Sequence, residues 1–472
     1  MNKLFLKLFI CMYCFCFLEL QNVIIAGENL VKKTNVIFIY ADDLGVMDVG
    51  FMGDKRYHTP NLDKLSTEGM VFSEAYAPAA NCAPSRGALL SGQWAARTGM
   101  YTVGNPARGN AKTRKLVPIK NKRSLERENT SLLKVFQENG YTTCQIGKWH
   151  VGKYPKELGV DISIGGGHKG HPKTYYSPYK SATIVDGPEG EYLTDRVTDE
   201  AIKFVTNHKA KPFFLYLPYF SIHTPLEARK DILKKYIGRK GINADYAAMV
   251  HALDENIGRL LKSIDELGLR NDTIVVFSSD NGGIASYSDQ APFRAGKGCY
   301  YEGGIRIPLI VRWPGKIKEG SKCEMPVTQL DFYPTLLHAT GLKTPTDKVL
   351  DGVNIMPLLL QSGTIKKRGL YWHFPIYLQG FEKGARGPLF RTRPGSVIRY
   401  GKWKLHEFFE DGGFELYNLE NDIGESNNLA QSHPEKLNEL REMLYAWRKS
   451  TNSPVPTKLN PKYVKGFIPP KK

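Results

Sequence analysis

Asn35-Val36-Ile37-Phe38-Ile39-Tyr40-Ala41-Asp42-Asp43 is an apolar run that ends in two carboxylates. The run does not alternate with polar residues. A strand with one wet face alternates, so a continuous run predicts a strand buried on both faces, as in a parallel sheet with helices above and below. Residues 141–146, 212–217, 273–277 and 309–311 repeat the pattern. Helices are expected from Thr59-Pro60 through residue 70, from Asn129-Thr130 to Gly140, and over 192–208 and 330–340. Pro60 suits a first helical turn, and Gly140 suits a C-terminal cap. Tyr246, Met249, Val250, Leu253, Ile257, Leu260, Leu261 and Ile264 mark one face of a further long helix. Strands alternating with helices predict an α/β fold, a large mostly parallel sheet sandwiched by helices.

After about residue 365 the pattern changes. Short segments at 370–374, 396–399, 403–406 and 415–417 predict a smaller C-terminal antiparallel sheet, followed by an amphipathic helix over 434–448. The tail from Asn452 holds five Lys and no acid. It is expected either extended against the body or loose. The expected organisation is a signal peptide at 1–26, a catalytic α/β domain at 27–365, and an α+β subdomain with a basic tail at 366–472.

Charged residues make up 24% of the 472-residue chain and hydrophobic residues 42%, which excludes a disordered, collagen-like or coiled-coil protein. Lys and Arg number 65 against 47 Asp and Glu, so the formal charge is +18. That excess admits nucleic acid, a membrane surface or an anionic polymer as partner. No helix-turn-helix, zinc-finger or RNA-recognition pattern is present, so no nucleic-acid partner is expected.

Lys3 and Lys7 accompany an apolar stretch at 4–18, followed by the small residues Ala26 and Gly27. This is the pattern of a secretory signal peptide, too short for a confident spanning helix. A periplasmic or secreted location is expected, with no stable membrane insertion after signal removal. Cys11, Cys14 and Cys16 would leave with the signal. Cys82, Cys144, Cys299 and Cys323 remain, too few for a disulfide framework and without a CxxC pair.

Open α/β sheets bind ligands at the carboxyl ends of their strands. One buried strand ends in Asp42-Asp43 and another in Ser278-Ser279-Asp280-Asn281-Gly282-Gly283. Oxygen ligands from two strand ends would suit a hard cation, Ca²⁺ or Mg²⁺, although each pair alone also reads as a turn. Asn81-Cys82-Ala83-Pro84-Ser85-Arg86-Gly87 places a Cys at a loop–helix junction. Backbone N–H groups there favour an anion and would lower the thiol pKa, while a buried structural Cys is the plain alternative.

Cys-x-Pro-Ser-Arg, followed by Gly87 and then Ser91-Gly92, resembles the signature of the type I sulfatases of the alkaline-phosphatase superfamily. Gly147-Lys148-Trp149-His150-Val151-Gly152 is similar to that family's second signature. Asp42-Asp43, His223, Asp280-Asn281-Gly282-Gly283 and Lys297 follow in the family's order. The resemblance covers roughly residues 33–432, and its general look is that of bacterial polysaccharide sulfatases.

The resemblance implies hydrolysis of a sulfate ester by formylglycine, made from Cys82 by a formylglycine-generating maturation enzyme. The hydrated aldehyde would attack sulfur, and its second hydroxyl would let sulfate leave. Asp42, Asp43, Asp280, Asn281 and the modified residue 82 would hold Ca²⁺, with Mg²⁺ as the alternative. Arg86 would orient the nucleophile, Lys148 would contact residue 82 and the sulfate, and His150 would act as a base. His223 and Lys297 would bind sulfate oxygens and protonate the leaving group.

Gly165-Gly166-Gly167-His168-Lys169-Gly170-His171-Pro172 lacks P-loop spacing and reads as a substrate loop, with His168 and His171 near a sugar. Arg386, Arg391, Arg393, Arg399, Lys402, Trp372, Trp403 and Tyr400 form a second basic and aromatic stretch that a sulfated saccharide would fit. The expected substrate is a sulfated glycan, of galactose or N-acetylgalactosamine type. The alternatives are a phosphoester or phosphonate hydrolase of the same superfamily and a non-enzymatic binder of sulfated polysaccharide.

Overall fold

The computed structural model describes residues 33–128 and 130–470. The expected signal segment, 1–26, and Asn129 lie outside the described residues. Strand β1 (Asn35–Ala41) is buried at all seven positions. Its alternate residues enter two different cores: Ile37, Ile39 and Ala41 face one, and Val36, Phe38 and Tyr40 face the other. This double burial is why the run is continuously apolar.

The main sheet also contains β2 (Met70–Phe72), but β3 (Ala75–Tyr76) pairs outside it. It continues with β4 (Thr142–Ile146), β5 (Ile162–Ile164), β6 (Phe213–Pro218), β7 (Thr273–Ser279), β8 (Leu309–Arg312) and β9 (Ser321–Cys323). The order is β5-β4-β6-β1-β7-β8-β2-β9. The first five strands run parallel, and β8 alone is antiparallel to its neighbours β7 and β2. The fold is therefore the expected mostly parallel α/β sheet, of alkaline-phosphatase-like type.

The helix Ala244–Glu266 buries its whole predicted face, from Tyr246 to Ile264, in one core. Fully burying each Leu, Ile or Met there contributes about 1.5–3 kcal/mol. The helix Leu193–His208 shares that core. The helices Leu132–Glu138 and Phe332–Ala339 cover the opposite face.

Two boundaries differ from expectation. The helix Pro60–Thr67 stops short of Met70, because Met70 pairs with Val311 in the sheet. The helix Leu132–Glu138 is capped by Ser131, whose hydroxyl accepts from the Lys134 N–H at 3.1 Å, one residue beyond Thr130. The three-residue strands β2, β5 and β9 are too short for periodicity to reveal.

β10 (Val327–Thr328) is the partner of β3. The predicted small sheet is formed by β11 (Gly369–Phe374), β14 (Gly395–Tyr400), β15 (Trp403–Phe408) and β16 (Gly413–Asn418), all antiparallel. A separate pair, β12 (Leu378–Gln379) and β13 (Phe390–Thr392), lies between them in sequence. The helix Pro434–Ser450 packs Leu440, Leu444 and Trp447 on Ile398, Leu405 and Leu416 of the small sheet. The basic tail is bound: Val117 N–H donates to Lys458 O at 2.8 Å, and Asn460 N–H to Lys115 O at 2.9 Å.

His373 joins the small sheet to this tail. Its Nε2 bonds the Pro454 carbonyl at 3.0 Å, and its Nδ1 meets the Ser396 hydroxyl at 2.7 Å. Burial pushes its pKa down to about 3. The unfolded chain takes up the proton near pH 6.5, so this contribution is full above 6.5 and is lost as pH falls toward 3. At about 1.4 kcal/mol per pH unit, wild type should lose about 2 kcal/mol between pH 6.5 and 5 that His373→Gln does not lose. Urea melts at the two pH values measure this, and equal acid losses in both proteins would refute it.

Candidate active site

Four adjacent parallel strands deliver the site from their carboxyl ends. Asp42 and Asp43 follow β1, Asp280 and Asn281 follow β7, Lys148 and His150 follow β4, and His223 follows β6. Backbone bonds fix these ends together. Asp42 N–H donates to Ser221 O at 2.9 Å, Asp280 N–H to Ala41 O at 3.2 Å, and Lys148 N–H to Pro218 O at 2.7 Å. Asp43 takes a left-handed turn, φ 64°, which breaks the strand alternation and lets both aspartates reach one centre. Gly147 makes the approach at β6 feasible, because a Cβ there would sit 2.1 Å from Pro218 O.

Each carboxylate meets a buried cation. Lys148 Nζ donates to Asp42 Oδ2 at 2.6 Å, and Lys297 Nζ to Asp43 Oδ2 at 2.6 Å. Arg86 grips Asp280 Oδ2 through Nε and Nη2, both at 2.8 Å, and donates to Lys148 O at 3.0 Å. Burial raises the pKa of Asp42 well above the usual range, only partly opposed by Lys148. Burial acts the same way on Asp43, but Lys297 and His223 outweigh it and hold that carboxyl below its usual value.

Cys82 is the first residue of the helix Cys82–Ser91 and is buried. Its Sγ and oxygens of Asp42 and Asp280 lie within 4.8 Å of one another. Oxygens around one Ca²⁺ lie 2.3–2.6 Å from it, so ligands of a single ion are about 5 Å apart or less. Asp42 Oδ1 and Asn281 Oδ1 are buried acceptors with no hydrogen-bond donor. A hard cation would satisfy both, so these residues fit a metal ion. The expectation of a lowered thiol pKa fails. Burial raises it, and the fields of Lys148 and Lys297 do not fully compensate.

Two histidines stand over the centre. His150, φ 66°, has no partner at Nδ1, and burial followed by the charge of Lys148 drives its pKa far down. Burial and Lys297 push His223 down to about 3. His223 Nδ1 bonds the Thr224 carbonyl at 2.8 Å, so Nδ1 carries the proton and Nε2 faces Asp43 Oδ2 at 3.8 Å.

A cavity of about 500 Å³ opens above Cys82. His150, His168, His171, His223 and Lys297 line it. His171 stacks on His223 at 5.8 Å, and His168 lies 6.5 Å from the His150 ring. The Gly-rich loop thus reaches the site. Of the second basic stretch, only Arg391 lines this cavity among the described residues. Arg399 is committed to Glu74 at 2.6 Å, Arg393 to Glu410 at 2.5 Å, Arg386 to Asp411 at 3.0 Å and Lys402 to Glu420 at 2.7 Å. Trp372 is buried on the Ala77 carbonyl, Tyr400 packs against Lys367, and Trp403 against Lys436. Arg108, Arg123 and Gln379 also line the cavity. Their segments carry no motif or periodicity that would have singled them out.

The fold and site define an α/β protein whose buried carboxylates could hold a metal ion beneath a basic cavity. The model of the family described as Sulfatase matches residues 34–342, and that described as N-sulphoglucosamine sulphohydrolase, C-terminal, matches 295–450. A sulfatase of Formosa agariphila is 32% identical, with 90% of each chain covered. The N-acetylgalactosamine-6-sulfatase of Rattus norvegicus is 31% identical, covering 72% of this chain and 68% of the relative. The crystal structure of Ps i-CgsB with k-i-k-neocarrahexaose superposes with a TM-score of 0.75 at 31% identity, covering 91% of this chain and 95% of that one. The chain belongs to the sulfatase family and is a sulfuric ester hydrolase.

Two outcomes test the geometry. Arg86→Met leaves Asp280 buried without its cation and should cost about 3–5 kcal/mol in metal-free protein, read by denaturant unfolding. A loss below about 1 kcal/mol would show that the pair is not needed. Gly170→Ala puts a Cβ 2.1 Å from His150 Cε1 and must push the loop off that ring. Its kcat/KM for sulfate release should fall about tenfold to a hundredfold, with the melting temperature almost unchanged. Unchanged kinetics would separate the loop from His150 function.

Proposed function

We propose that this protein removes sulfate from a sulfated carbohydrate of galactose or N-acetylgalactosamine type, in the periplasm or outside the cell. Residue 82, oxidised to formylglycine by a maturation enzyme, is the nucleophile in this reading. The observation that carries it is the position of Cys82, whose Sγ lies within 4.8 Å of carboxylate oxygens of Asp42 and Asp280 at the floor of a cavity lined by Lys297 and four histidines. The names of the Rattus relative and of the carrageenan-oligosaccharide complex support a saccharide substrate.

Asp42, Asp43, Asp280 and Asn281 would hold Ca²⁺, with residue 82 as a further ligand. Bound there, the ion would polarise the sulfate and favour an ionised nucleophile. The hydrated aldehyde provides a hydroxyl to attack sulfur and a second one through which sulfate can be expelled. Lys297, on the cavity wall, and Lys148, buried on Asp42 behind it, would offset the negative charge that grows on the sulfate oxygens. Arg86 stays on Asp280 and fixes the metal ligand in place. His150, uncharged and with a free Nδ1, can accept a proton from residue 82. His223 Nε2 and the Lys297 ammonium face the leaving oxygen. The approaching anionic ester raises the proton affinity of His223, so the proton for the leaving alcohol is loaded as substrate binds. His168 and His171 border the sugar.

Mass spectrometry of the peptide containing residue 82, from the native host, should find an aldehyde in place of the thiol. An unmodified thiol there would sink the mechanism. Chelation should abolish sulfate release from sulfated galactose-family oligosaccharides, and Ca²⁺ should restore it. Turnover of aryl sulfates alone, with no saccharide accepted, would count against the substrate assignment.

A further inference from the structure

The cavity above Cys82 holds more positive charge than one sulfate can use. No Asp or Glu is among its lining residues, while Arg108, Arg123, Lys297 and Arg391 are. Lys297 is matched by Asp43 at 2.6 Å, and Arg391 is held to Glu382 at 3.3 Å. Among the described residues Arg108 has no such match. Its guanidinium donates to the Val103 carbonyl, and no carboxylate contributes to its electrostatic surroundings. Burial and the neighbouring Arg391 both disfavour its charge. Arg123 is exposed on the same wall and forms no ion pair with a described residue.

A half-buried guanidinium kept without a counter-ion is costly unless a ligand supplies one. The backbone nevertheless holds Arg108 in place. Ala107 bridges to Tyr377, Tyr377 N–H donates to Pro106 O at 3.0 Å, and Arg114 Nη1 donates to Arg108 O at 3.3 Å. The arginine loop is thereby tied to the segment that brings Gln379 into the same cavity. A fork of fixed N–H donors suits an oxyanion such as sulfate or carboxylate.

We infer that Arg108, with Arg123 and Arg391, forms a second anion subsite, so that the preferred saccharide carries another sulfate or carboxylate besides the ester that is cleaved. This rests on the reading of residue 82 as the reaction centre of a saccharide sulfatase. Arg108 is then a specificity residue that touches a group left unchanged by the reaction.

The test separates binding from turnover. Cys82→Ala protein, which has no side-chain group to convert to the aldehyde, is titrated with N-acetylgalactosamine 6-sulfate, with its 4,6-disulfate, and with a disaccharide bearing the second sulfate on the neighbouring ring. At least one doubly charged probe should bind tenfold or more tighter than the monosulfate, with a steeper loss of affinity as salt rises. Adding Arg108→Gln, which keeps a donor for the Val103 carbonyl but removes the charge, should bring the two within about threefold. Equal binding of all three probes by the Cys82→Ala protein would overturn the proposal. So would an equal loss for all probes on Arg108→Gln, because Arg108 would then contact the shared sulfate or only support the loop. Failure of the underlying reading looks different: matured wild type would release no sulfate from any probe, while the binding preference for two charges persisted.

Discussion

Two buried carboxylates, Asp42 and Asp280, converge at one point, and a third, Asp43, is tied beside them through Asn281, so all three must be held together against their own repulsion. Three buried cations, Lys148, Lys297 and Arg86, make that convergence tolerable. Counted as fully ionised, the six groups sum to zero charge. The balance matters because these side chains are buried, where an unbalanced charge is expensive.

The sheet exists in the form that this balance demands. Only parallel neighbours bring their carboxyl ends to the same edge, and β4, β6, β1 and β7 do so side by side. Double burial of β1 makes its position rigid, since any shift would disturb both cores. The cross-strand bonds from Asp42, Lys148 and Asp280 lie beyond the regular ladder, so the register of the sheet continues into the catalytic loops. Lys297 and Cys82 come from loop and helix, and they close the centre from above.

The excess of positive charge has a more local meaning than composition suggests. The formal +18, less the +1 of Lys3, Lys7 and Glu19, leaves +17 on residues 27–472. Much of the basic C-terminal stretch is consumed by carboxylates of its own sheet, as with Arg386, Arg393, Arg399 and Lys402. The tail lysines accompany a strap bonded to residues 112–117. Among the described residues, the cavity-lining cations without a carboxylate partner are Arg108 and Arg123.

The sequence alone determined the strand at 35–41, the long helix face from Tyr246 to Ile264, the small C-terminal sheet and the residues of the central charge cluster. These were legible because hydrophobic period and local motifs are short-range properties of a chain. The family resemblance added roles that spacing could not. Tertiary structure alone decided the rest. It placed the three-residue strands β2, β5 and β9 by pairing with distant partners, and it raised the Cys82 thiol pKa by excluding water. It also turned Arg399 and Trp372 inward and brought Arg108 from an unremarkable loop to the cavity wall. Which of many similar arginines finds a carboxylate and which is left facing a ligand depends on long-range packing, and no local pattern encodes that.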